Sequence, residues 1–116
     1  MTHTTTLGQT TVVVTRNTTT TYFADSTALT AVHDEQPGQA ERAAQLGYAT
    51  AEDMNREHDL AHSLLAHWLG LDYSPTLFAV AHGQTSPLWE AEESAVLAIQ
   101  RFARAAGVDL LSVAKP

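Results

Sequence analysis

Residues 10–23 read TTVVVTRNTTTTYF. Two runs of β-branched and aromatic residues flank Arg16-Asn17, and an asparagine between such runs suits a turn. The runs predict a β-hairpin or a pair of short strands, whereas the chain beyond residue 38 is punctuated as helices. The expected fold class is therefore α+β, a short N-terminal β-hairpin followed by three or four α-helices packed as one small domain over residues 1–116. Upstream of the hairpin, MTHTTTLGQ offers little that can pack, so residues 1–9 are expected to be a frayed tail. Downstream, residues 26–33 fit either a short helix capped by Asp25 or a third strand, because so short a run has no decisive periodicity.

Pro37-Gly38 breaks whatever precedes it, and QAERAAQL at 39–46 is a run of strong helix formers ending at Gly47. Three further helices each start at a hydroxyl residue and stop at a glycine. Thr50, with Asp53 three residues on, opens one that ends at Gly70; Ser74-Pro75 opens a second that ends at Gly83. Ser86-Pro87 opens a third that runs to Gly107, with Glu90, Glu92 and Glu93 near its positive end. The last apolar run, VDLLSV, is expected to dock as a strand or turn. At about 100° per residue, Met54, Leu60, Ala61, Leu64, Leu65, Trp68 and Leu71 share one arc. Trp68, Leu65, Phe78, Ile99 and Phe102 are expected in the core.

A chain of 116 residues with 44% hydrophobic content suffices for one core. It has no cysteine, which excludes disulfides, thiolate metal sites and thiol nucleophiles. Thirteen acids against six Lys and Arg give a net charge of −7. The cations Arg16, Arg42, Arg56, Arg101, Arg104 and Lys115 are scattered, which disfavours nucleic acid as a partner. The first residues lack the basic start and apolar run of a secretory signal, and no later run approaches the roughly 20 apolar residues of a membrane span. A cytoplasmic protein without a membrane partner is expected. Phosphate-loop, dinucleotide and nucleophile-elbow motifs are absent from the sequence.

Chemistry concentrates in residues 57–70, EHDLAHSLLAHWLG. His58 and His62 fall four residues apart on one helical face, with Asn55 and Asp59 extending the stripe, while His67 points away. Two imidazoles at that spacing reach one point, the arrangement used in zinc sites. Glu92, an acid on the apolar face of the last helix, is the candidate third ligand. The candidate polar stripe is thus Asn55, His58, Asp59 and His62, and the candidate metal set is His58, His62 and Glu92, for zinc or manganese.

His58-Asp59-Leu60-Ala61-His62 resembles the H-E-x-x-H signature of zinc metallopeptidases, with Asp59 in place of the general-base glutamate. His58-Asp59 also resembles the doublet of the HD phosphohydrolases, a metal-dependent helical family; that resemblance implies outer ligands at His33 and Asp109. Residues 64–83 resemble the helix-turn-helix of bacterial repressors, although Thr76, Leu77, Phe78 and Val80 give the second helix a buried composition rather than one that reads bases. The principal expectation is a small, acidic accessory module without catalytic activity and without a cofactor, which recognises another protein or a second copy of itself. The alternatives are a metal-dependent hydrolase built on the His-Asp-x-x-His helix and a helix-turn-helix regulator.

Overall fold

The computed structural model describes residues 2–34 and 36–113, the last of these by its backbone alone. Met1 of the expected tail and Lys115 lie outside the described residues. The fold is α+β: a four-stranded antiparallel sheet followed by helices. Strands β1 (His3–Leu7), β2 (Thr10–Val14), β3 (Thr18–Tyr22) and β4 (Ala28–Val32) pair in chain order. Helices α1 (Gln39–Gln45), α2 (Ala51–Trp68), α3 (Pro75–Ala81), α4 (Trp89–Ala106) and the short α5 (Leu110–Val113) follow.

The expected hairpin is the middle of this sheet, with Val12 opposite Thr21 and Val14 opposite Thr19. Two expectations for its flanks are corrected. The segment taken for a frayed tail supplies β1, which pairs from His3 with Val14 to Leu7 with Thr10. Gly8, at φ 64°, makes the two-residue turn that joins them. Most of 26–33 is the edge strand β4. The turn before it holds Ser26 at φ 70°, and Asp25 Oδ1 accepts the Thr27 N–H at 3.0 Å.

One sheet face is buried, through Leu7, Val12 and Val14 and also through Thr5, Thr10, Thr19 and Thr21. Its threonines are tolerated there because their hydroxyls find partners: Thr10 Oγ1 donates to the Asp72 carbonyl at 2.7 Å, and Thr19 Oγ1 meets His33 Nε2 at 2.8 Å. Helix α2 packs against β1, β2 and β3 and is flanked by α1, α3, α4 and α5. Leu60, Ala61 and Leu64 join Val96, Ala103 and Leu110 in the central core. Full burial of a leucine contributes about 1.5–3 kcal/mol.

The expected core needs revision at two of its five positions. Trp68 is 51% exposed and Phe102 76% exposed. Trp68 ends α2, beyond the elements that cover that helix, and Phe102 lies off the buried stripe of α4, which runs through Glu92, Val96, Gln100 and Ala103. Leu65 and Ile99 pack at the margin of the core. Phe78 lies against Phe23 and Tyr73, and Val80, part of the helix's expected buried composition, is exposed.

Thr50 and Ser74 cap α2 and α3 as expected, accepting from the Asp53 and Leu77 N–H groups. Helix α4 departs from the expected start: it begins at Trp89, and Ser86 Oγ accepts from the Leu88 N–H instead of capping it. The VDLLSV segment forms α5, with Asp109 accepting from Leu111 N–H and Ser112 Oγ.

Candidate metal centre

Glu57 meets Gln100, and five residues on, His62 meets Glu92, so α2 and α4 run antiparallel. This pairing carries two clusters of buried polar groups. In the second, His58 and His62 project from successive turns of α2 with ring centroids 5.1 Å apart. Glu92 and Glu93 reach them from the first turns of α4.

The Glu93 carboxylate spans both rings, Oε1 lying 2.7 Å from His58 Nε2 and Oε2 3.1 Å from His62 Nε2. One ligand atom from each of His58, His62 and Glu93 lies within 4.8 Å of the other two. Zinc takes histidine nitrogen and carboxylate oxygen at about 2.0–2.2 Å, and these three atoms are close enough together to be candidates for ligands of one ion. His62 is only 2% exposed, and the other two are half-buried.

Glu92 does not join that point. It sits on the far side of His62, accepting from His62 Nδ1, from Ser74 Oγ and, at 3.3 Å, from the Thr76 N–H. Burial opposes its charge, but these donors outweigh burial and hold its carboxyl below the ordinary range. Because a carboxylate only accepts, His62 Nδ1 carries the proton there, and its Nε2 is directed at Glu93. A carboxylate behind a ligating histidine fixes ring and tautomer, a recurrent support of metal sites.

Asp59 backs His58 in a looser form, with Oδ1 3.5 Å from His58 Nδ1 and Oδ2 3.4 Å from His33 Nε2. Burial opposes a charge on His58 as well, but the Asp59 and Glu93 carboxylates prevail and raise its pKa. His33 is shifted down, chiefly by burial.

The structure thus gathers four of the residues singled out in the sequence, His58, Asp59, His62 and Glu92, and gives them different positions. Asn55 lies to one side, donating to Gln39 Oε1 at 3.3 Å. Asp59 faces away from the shared point, unlike the base of an H-E-x-x-H site. Of the outer positions implied by the HD resemblance, His33 reaches the cluster through Asp59, whereas Asp109 is engaged in the first turn of α5. Glu93 and Ser74 were missed as site residues. Ser74 carried a signal only as a cap, and no sequence feature favoured Glu93 over its neighbour.

In the first cluster, Tyr48 Oη donates to Glu57 Oε1, and Gln100 Nε2 donates to Tyr48 Oη at 3.1 Å, to Glu57 Oε1 at 3.3 Å and to the Met54 carbonyl at 3.3 Å. Glu57 is 1% exposed. A cleft of about 660 Å³ opens over both clusters, with His58 and Glu93 on its wall and Tyr48 and Gln100 further along. Comparison with family models, curated proteins and solved structures finds no match. Among the described residues, no helix is long and apolar enough to cross a membrane.

Proposed function

We propose that the protein is a metal-dependent hydrolase that binds a divalent ion of the zinc class through His58, His62 and Glu93. The observation that carries this reading is the convergence of two imidazole Nε2 atoms on one carboxylate, with the Nδ1 of the buried histidine held by a second carboxylate. Nitrogens facing carboxylates require a positive charge between them, either protons or a metal ion. Three protein ligands leave a coordination position for water, as in catalytic rather than structural zinc sites. An ion held by His58, His62 and Glu93 would supply an acidified water as the nucleophile for hydrolysis of an ester, the proton released from that water going to the leaving oxygen.

Addition of zinc or manganese is expected to raise the melting temperature, by about 2.7 kcal/mol of added stability at a hundredfold excess over Kd. His62→Ala and Glu93→Gln should abolish the rise, and the loaded protein should hydrolyse a chromogenic ester that the two variants leave intact. No thermal shift with zinc, manganese or nickel would overturn the metal site. A shift without turnover of carboxylic or phosphoric esters would leave a metal-binding module without this chemistry.

A second reading, a module that recognises another protein or a second copy of itself, is supported by exposed Trp68, Leu69, Leu71 and Leu88. The last three border a small apolar groove between α2, α3 and α4. Patches of that kind mark interaction surfaces. Light scattering over a concentration series, with Leu88→Glu as control, tests it: a monomer at all concentrations would remove the self-association half.

A further inference from the structure

The chain has six Lys and Arg residues against thirteen acids, yet Arg42, Arg101 and Arg104 all line the cleft beside the candidate metal centre. Arg101 and Arg104 lie one turn apart on α4, and Arg42, far upstream on α1, joins them on the wall of the same cleft. Among the described residues, none of the three forms an ion pair, whereas Arg56, elsewhere on α2, pairs with Asp53. Arg104 lies over the Tyr48 ring, its Cζ 3.7 Å from the centroid, and its Nε is buried without a hydrogen-bond partner. Aromatic stacking holds a guanidinium in place without consuming its charge.

An acidic protein that sets half its cations, free of carboxylate partners, around one cleft has a positive wall suited to an anion. Guanidinium groups match phosphate with two parallel hydrogen bonds. The metal end supplies a second attraction for a phosphoryl oxygen, and the cleft has the volume of a small-molecule site. Met54 and Leu97 supply apolar lining for a carbon skeleton. We propose that the cleft binds a small organic phosphate monoester, with its phosphoryl group between the arginines and the metal centre. This inference rests on the metal-dependent reading above and names the substrate class of that site.

Phenyl phosphate and benzoate, similar in size and different in anionic group, are the probes, titrated calorimetrically into zinc-loaded and metal-free protein. Phenyl phosphate is expected to bind saturably, inorganic phosphate to compete with it, and benzoate to bind at least about tenfold more weakly. Arg42→Ala and Arg101→Ala should each weaken phenyl phosphate about tenfold, the loss of one charge-assisted contact, and leave the zinc-induced thermal shift intact. The proposal is overturned if the zinc-loaded protein binds no phosphate, if benzoate binds equally well, or if the arginine variants bind like the parent. If zinc does not bind at all, the metal reading falls by itself. Arginine-dependent binding of phenyl phosphate to the metal-free protein would then still support the cleft as a phosphate site, and its absence would remove it.

Discussion

The interface of α2 with α4 contains two polar clusters, about one and a half helical turns apart, that solve the same problem in opposite ways. Around Glu57, carboxylate Oε1 receives Tyr48 Oη and Gln100 Nε2, and Gln100 Nε2 also reaches Tyr48 Oη and the Met54 carbonyl. Each of these donors finds an acceptor inside the cluster. Around His62, three carboxylates, Glu92, Glu93 and Asp59, face two imidazoles, so acceptors outnumber the fixed donors and two of the rings' nitrogens aim at one place. Burial alone does not distinguish the clusters, since Glu57 and His62 are almost equally hidden. The balance of donors and acceptors does: a closed network specifies packing, and an acceptor-rich one leaves a place for a cation.

The sharpest way to break this comparison is Glu57→Ala. The substitution leaves Tyr48 Oη and Gln100 Nε2 without their buried partner and is expected to destabilise the fold by about 3 kcal/mol, with Glu57→Gln recovering most of the loss. Metal affinity of the folded fraction should be unchanged. Chemical denaturation read alongside zinc titration separates the two effects. A loss of metal affinity equal to that of His62→Ala would show that the clusters act as one.

Glu92→Gln is expected to have a smaller effect of the opposite kind. Weakening a carboxylate behind a ligating histidine typically costs 10–100-fold in metal affinity, or about 1.4–2.7 kcal/mol. The pH dependence of the metal-free protein carries the same signature. The Glu92 pKa is held below its ordinary 4.5, so its contribution to stability is present above that value and is lost as pH falls through the folded pKa. The His58 pKa is raised above 6.5, so its contribution is complete below 6.5 and is lost as pH rises through the folded value. Because a metal displaces the His58 proton, zinc affinity should climb over that same upper range. Thermal melts from pH 3 to 9, with and without zinc, check both directions; affinity independent of pH would remove His58 from the ligand set.

What was legible in the sequence was local. The caps at Thr50 and Ser74 and the stop at Gly107, with φ 74°, depend on a few neighbouring residues, and the α+β order follows from β-branched runs preceding capped helices. The stripe of His58 and His62 was legible because α2 is a regular helix. What the stripe faces was not legible, since choosing between Glu92 and Glu93 requires the rotation of α4, and that is set by the whole packing. Nor could the arc on α2 locate Trp68: a helix covered on several sides buries Arg56, Glu57, His62 and Ser63, polar residues that periodicity assigns to solvent. His3–Leu7 became a strand only because β2 offered it an edge.

The smallest effect is expected where a histidine and an acid meet in water. His82 follows α3 and reaches the turn before β4, with Nδ1 2.8 Å from the Phe78 carbonyl and Nε2 3.0 Å from Asp25 Oδ2. Both ring nitrogens face acceptors, as in the buried cluster, but here solvent screens the charges. The Phe78 carbonyl, and to a lesser degree Asp25, raise the His82 pKa; Thr27 chiefly, with His82 behind it, lowers that of Asp25. His82 therefore steadies this contact below pH 6.5 and ceases to do so as pH rises through its folded pKa, while Asp25 contributes above 3.8 and ceases as pH falls through its own. The contact should be strongest between about pH 4 and 6.5. His82→Gln should leave the global melt nearly unmoved while speeding amide exchange at Thr27, whose N–H is held by Asp25. The increase should be larger at pH 6 than at pH 8. If the variant instead melted as early as Glu57→Ala, solvent exposure would not separate weak ion pairs from strong ones in this fold, and the contrast between the two buried clusters would need another cause.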